Sequence, residues 1–113
     1  MAALELREEV VSDLRGVGAT MILTVDRIVV ARDGYERRPR SGLQTYPLDQ
    51  VRRIGLELGT GPSGRVILWT GELEETVSMF FEPRSLARAE AFVAAARPLM
   101  ARRRRGIPEP ERD

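Results

Sequence analysis

Chemistry in this chain would have to rest on arginine and carboxylate. All 18 basic residues are arginine, set against 17 acidic ones, and the sequence holds no Cys, His, Lys or Asn. Guanidinium groups bind carboxylate or phosphate in bidentate fashion, so clusters of them are the first place to look. One cluster lies in the loop "YERRPRSG" (Arg37, Arg38, Arg40), and Arg52 and Arg53 follow in "DQVRR". If that loop folds toward a turn at Asp49-Gln50, Arg37, Arg38, Arg40, Arg52 and Arg53 converge into an anion site. A solvated loop, its charge offset by Glu36 and Asp49, is the plainer reading of the same residues. A third run, Arg102 to Arg105, follows an apolar helix stripe and could meet an anionic membrane surface or nucleic acid. Solvation of a helix end explains that run more simply.

The missing residue types exclude more than the present ones suggest. Disulfides, thiolate chemistry and the usual zinc ligands are absent. So are Ser-His and Cys-His pairs, Schiff-base lysines and the phosphate-binding lysine of nucleotide loops. Carboxylates remain, and "GELEE" (Gly71 to Glu75) gathers three of them, in what reads as a solvated turn. No nucleophile has a base at a workable spacing. The expectation is a protein that is not an enzyme and uses neither metal nor cofactor.

The elements that must position these residues read as strands followed by one helix. "MILTVDRIVV" (Met21 to Val30) is β-branched and alternating on either side of Asp26-Arg27. An unbroken strand would cover one of those charges, which costs several kcal/mol when unpaired, on the order of a whole core side chain. A turn over Thr24 to Arg27 puts both in water, and the Thr24 hydroxyl can bond backbone two residues on. The stretch is therefore two strands. "LQTYPL" (Leu43 to Leu48) is a short strand that Pro47 confines to an edge or an end. "DQVRR" begins a turn. "IGLEL" (Ile54 to Leu58), "RVILWT" (Arg65 to Thr70) and "TVSMFF" (Thr76 to Phe81) alternate as three more strands, the first two joined by "GTGPSG". The segment before Gly16 fits a strand around Glu9 to Leu14 or a short helix.

After Pro83 the period lengthens. Leu86, Ala89, Val93, Ala96 and Met100, with Phe92 and Leu99 beside them, make one apolar stripe on a helix from about Arg84 to Arg103. Pro98 lies inside that pattern and should kink or weaken it. "GIPEPERD" reads as a disordered polar tail, so residues 1–105 form one domain and 106–113 a tail. On the strands, alternation turns Trp69 and Phe80 outward. Two large apolar groups on neighbouring strands would form a surface that a second subunit or the N-terminal segment covers. No apolar run approaches the roughly 18 residues of a membrane span. The N-terminal segment carries acidic residues where a signal peptide needs apolar ones, so a cytoplasmic protein is expected.

About seven antiparallel strands and a C-terminal helix resemble the pleckstrin-homology-like (PH-like) fold, in particular its bacterial families. In those families a strand pair of the form L-T-x-x-R-[LI] leads into a Gly-containing turn, matched here by Leu23, Thr24, Arg27 and Ile28 with Asp33-Gly34 after them. A Y/I-P-L-x-x-[IV] segment follows, matched by Tyr46-Pro47-Leu48 and Val51, and then G-x-[LIV]-x-[LIV], matched by Gly64, Val66 and Leu68. The resemblance spans residues 8–103. It implies a mainly β protein, a PH-like barrel with a helix capping one end, serving as a scaffold for binding rather than catalysis. Relatives of the fold bind phosphoinositides, peptides or other domains. Inositide binders carry a Lys/Arg-x-Arg pattern between the first two strands, where "DLRGVGA" offers Arg15 alone. The reading that results is a small interaction module that contacts a protein partner or itself. Peripheral binding of anionic lipid headgroups through the arginine clusters is the alternative, and nucleic-acid binding by the C-terminal run a more distant one.

Overall fold

The structure is a computed structural model that describes residues 9–34, 37, 42–59, 64–71 and 75–106. The chain does turn back inside "MILTVDRIVV". Strand β2 (Ala19–Thr24) and strand β3 (Arg27–Arg32) pair antiparallel across a two-residue connection. Thr24 makes the turn: its Oγ1 accepts the backbone N–H groups of Asp26 and Arg27, each at 3.1 Å. Thr24 is fully buried, whereas Asp26 and Arg27 keep water contact.

The N-terminal segment is a strand, β1 (Val10–Arg15), paired with β2 through a register irregularity between Val10 and Ser12. Its spacing of Val10, Val11 and Leu14 suits a helix face as well as a strand, and β2's free edge decides the matter. Strand β4 (Leu43–Pro47) pairs with β3 and forms the far edge, with Pro47 as its last residue, as proline demands. These four strands make one sheet in the order β1-β2-β3-β4. A 3-10 turn over Leu48–Gln50 leads into the second sheet, and the Leu48 N–H bonds to the Asp26 carbonyl at 2.9 Å.

That second sheet has the order β5-β6-β7, from β5 (Val51–Leu58), β6 (Gly64–Thr70) and β7 (Glu75–Phe81). Strand β5 starts three residues earlier than the alternation of "IGLEL" suggests. The pairing with β6 shifts between Val51 and Arg53, which leaves Arg52 as the extra residue of a bulge. Val51 and Ile54 both face the core across that bulge, and both intervening arginines face out. The tail and most of the loops at 35–41, 60–63 and 72–74, including Arg38, Arg40 and the "GELEE" carboxylates Glu72 and Glu74, lie outside the described residues.

Helix α1 (Leu86–Gly106) follows a 3-10 turn at Pro83–Ser85 and runs through Pro98 without interruption. Pro98 is exposed, so its ring is turned away from the packed face. Ala89, Phe92, Val93, Ala96 and Met100 are buried as the stripe predicts, against β1, β5, β6 and the Leu48–Gln50 turn. The core thus lies between two sheets and one helix, with Phe81, Phe92, Leu14 and Met21 among its largest fully buried side chains. The protein is mainly β, with two antiparallel sheets and one C-terminal helix. The sheets are separate ladders among the described residues, and they do not close into a barrel.

The sheets do touch at one corner. The Val17 N–H bonds to the Phe80 carbonyl at 2.8 Å, which seats the β1–β2 turn on β7. Gly16 makes the approach possible: a Cβ there would stand 2.6 Å from that carbonyl oxygen and 2.6 Å from Met79 Cε. Backbone cannot yield as a flexible side chain can. Gly16→Ala should therefore lower the unfolding free energy by about 1–3 kcal/mol, the usual cost of overpacking, read from the urea midpoint. A midpoint unchanged from wild type would show that the corner opens without cost.

Candidate functional site

The bulge in β5 and the last turns of α1 build a surface cleft. Between them is a cleft of 470 Å³, lined by Arg52, Arg53, Ile54 and Gly55 from β5, Trp69 from β6, and Arg97, Met100 and Ala101 from α1. Arg97, Met100 and Ala101 stand at i, i+3 and i+4, so one helix face supplies all three. Arg53 and Trp69 are directly opposite across the β5–β6 ladder, and the Arg53 guanidinium lies 4.2 Å from the Trp69 ring centroid. That is a cation–π contact with the strongest of the aromatic partners. Arg97 reaches over from the helix and donates from Nη2 to the Ile54 carbonyl at 3.2 Å. The bond ties the helix to β5, an edge strand.

Among the described residues, the charged side chains lining the cleft are all arginines, and none is a carboxylate. Elsewhere on the described surface, several arginines meet acids. Arg15 binds Asp33 through two bonds of 2.9 and 3.1 Å and also donates to the Thr20 hydroxyl. Arg65 pairs with Glu57, Arg84 with Glu82 and Arg88 with Asp13. Arg103 pairs with Asp26, which pins the end of α1 to the β2–β3 turn. Arg53 and Arg97 have no such partner among the described residues.

The residues expected to converge do so only in part. Arg52 and Arg53 are together, on a strand rather than in a turn. Arg37 is exposed beyond the far end of β3, bonded by its N–H to the Gly34 carbonyl, while Leu48–Gln50 is tied to the near end at Asp26. A six-residue strand, about 20 Å long at ~3.3 Å per residue, separates the two places. Arg38 and Arg40 lie outside the described residues. The third cation of the cleft is Arg97, which no local signal marks, because it comes from α1, 43 positions away from the carbonyl it binds.

Trp69 and Phe80 face the same side of the second sheet, as alternation predicts, but they are not neighbours. Trp69 is opposite Thr76 and Phe80 opposite Arg65, at the two ends of the β6–β7 ladder. Trp69 is half-buried in the cleft, whereas Phe80 is 54% exposed beside Val17 at the corner. Arg65 lies 6.0 Å from the Phe80 ring while its Nε holds Glu57, so the cation there is already shared. Of the C-terminal run, Arg102 is exposed and Arg103 is engaged by Asp26. Arg15, the one cation in the first hairpin loop, is held by Asp33.

Away from the cleft, the Tyr46 hydroxyl on β4 donates to Gln44 Oε1 at 2.8 Å. Its phenol is pushed above the ordinary value of 10.0 by burial, and the charge of Arg32 partly offsets the rise. Among the described residues no group of three or more carboxylates is placed to hold a metal ion. No helix there is long and apolar enough to cross a membrane. No known family model matches the sequence, and no curated protein matches it.

Proposed function

We propose that this is a non-catalytic interaction module of PH-like fold, acting in the cytoplasm, which holds a protein partner in the cleft between β5 and α1. The observation that carries the reading is the cleft itself. It sets a tryptophan, three further apolar side chains and three guanidinium groups around one recess between a strand and a helix. Aromatic and arginine side chains dominate the energetics of protein contacts, because each joins a large apolar area to directional polar groups. Order and number of elements support the PH-like assignment: four strands, then three, then a C-terminal helix packed across both sheets. Self-association is one form of the same reading, with a second copy as the partner. A lipid surface suits the site less well, since its cations surround a recess rather than a flat face.

A photo-crosslinking residue at Ala101, inside the cleft, should give a discrete adduct in cells of the producing organism. The same residue at Thr45, exposed on β4, should give none, and Arg53→Glu should abolish the Ala101 adduct. Equal adducts from both positions, or none from Ala101, would remove the cleft as the contact. Light scattering across a concentration series separates the partners, because a monomeric mass throughout excludes self-association.

A further inference from the structure

The pairing of arginines over the surface says which partner chemistry the cleft lacks. Arg15, Arg65, Arg84, Arg88 and Arg103 each hold a carboxylate of the chain itself. Among the described residues Arg53 and Arg97 hold none, and they share one recess. Like charges gathered around a space of 470 Å³ repel, and the apolar wall beside them lowers the screening that water would give. A guanidinium carries five N–H donors, and Arg97 gives one of them to Ile54. The Arg53 guanidinium lies 4.2 Å from the Trp69 ring centroid, and a ring face takes up none of its N–H donors as a carboxylate would. The recess thus offers donors and positive charge beside Trp69, Met100 and Ala101, an apolar surface.

We infer that the occupant of this cleft is an acidic protein segment, with carboxylates placed on Arg53 and Arg97 and an apolar side chain set between them against Trp69 and Met100. This rests on the reading of the cleft as a protein-binding site and specifies its partner. Charge complementarity selects the acid. The apolar wall selects a peptide over a bare anion, because an inorganic anion leaves that wall in water.

Trp69 is the one tryptophan of the chain, so its fluorescence reports on the cleft alone. The test titrates the full chain with a short peptide alternating glutamate and leucine, its glutamine-for-glutamate match, inorganic phosphate, and phosphatidylserine vesicles, with calorimetry alongside. The glutamate peptide should change Trp69 emission saturably, and binding should weaken as salt rises. The glutamine match should not bind. Arg53→Gln and Arg97→Gln should each weaken the glutamate peptide roughly tenfold or more, the loss expected for a charge-assisted hydrogen bond. Arg102→Gln, on the same helix but outside the cleft, should bind as wild type does, which separates site loss from misfolding.

Equal binding of the glutamine match would overturn the acidic partner and leave the cleft a protein site. Phosphate competing as strongly as the glutamate peptide would overturn the choice of a peptide. A response confined to vesicles would overturn this inference and the protein-binding reading together. A silent Trp69 with every probe, while the Ala101 adduct persists, would overturn the inference alone.

Discussion

Truncating Phe92 to alanine should lower the unfolding free energy by about 3–5 kcal/mol, the usual cost of emptying a buried aromatic site. Phe92 has no exposed surface and belongs to the cluster that joins α1 to both sheets. Its neighbours on the helix stripe are Ala89, Val93 and Ala96, side chains too small to close over the gap. The backbone of two sheets cannot collapse inward to fill it, so most of the cavity would persist. A domain of this size is stable by only about 5–15 kcal/mol, so one substitution removes a large share of that margin. The midpoint in urea should fall with little change in slope. Phe92→Leu, which restores most of the volume, should recover well over half of the loss. A loss below 1 kcal/mol for alanine would mean that α1 does not hold the sheets together as its packing implies.

The second large effect is expected at Thr24. Thr24→Val keeps the shape and the burial but takes away the oxygen that accepts from the Asp26 and Arg27 N–H groups. Leaving such donors unmet costs about 1–3 kcal/mol. Thr24→Ser keeps the oxygen and loses one methyl group, worth about 1 kcal/mol of burial. Stability alone would separate the two variants poorly, so amide exchange is the sharper measurement. The Asp26 and Arg27 amides should exchange much faster in the valine variant, and near the wild-type rate in the serine one once global stability is allowed for. Equal exchange in both would show that water or another group satisfies the turn without the hydroxyl.

The predictable features of this fold are those in which period and polarity agree. Asp26-Arg27 interrupts a β-branched run, so a turn follows from the cost of covering charge. Pro47 cannot donate to a ladder, and its strand ends there on an edge. The α1 stripe survives Pro98 in the reading because the apolar residues on both sides keep one face. The features that escaped depend on partners far along the chain. The extra residue at Arg52 disturbs alternation just where "DQVRR" resembles a turn, so alternation alone starts β5 three residues late, at Ile54 rather than Val51. The choice between strand and helix for Val10 to Arg15 turned on an open edge of β2, which no local pattern records. The site divided in the same way. Arg52, Arg53 and Trp69 were each identified for their chemistry, but in separate clusters. Their union in one cleft follows from the direct opposition of Arg53 and Trp69 in the β5–β6 register. Arg97 was missed because its role comes from the packing of α1 against the β5 edge. Arg37 stands apart from that cleft, at the end of β3 away from the Leu48–Gln50 turn.

The order of the elements has a consequence for the birth of the molecule. The seven described strands leave the ribosome before the residues of α1 do, and a domain generally folds as a unit. Until Phe92, Ala96 and Met100 appear, the apolar faces of both sheets lack their third wall. The two longest-range ties, Arg88 to Asp13 and Arg103 to Asp26, can form only at that late moment. Contacts so distant along the chain are slow to close. The apolar faces of the two sheets therefore cannot be closed until α1 has been made. The end of α1, pinned by Arg103 to the β2–β3 turn, is the last part of that wall to be made.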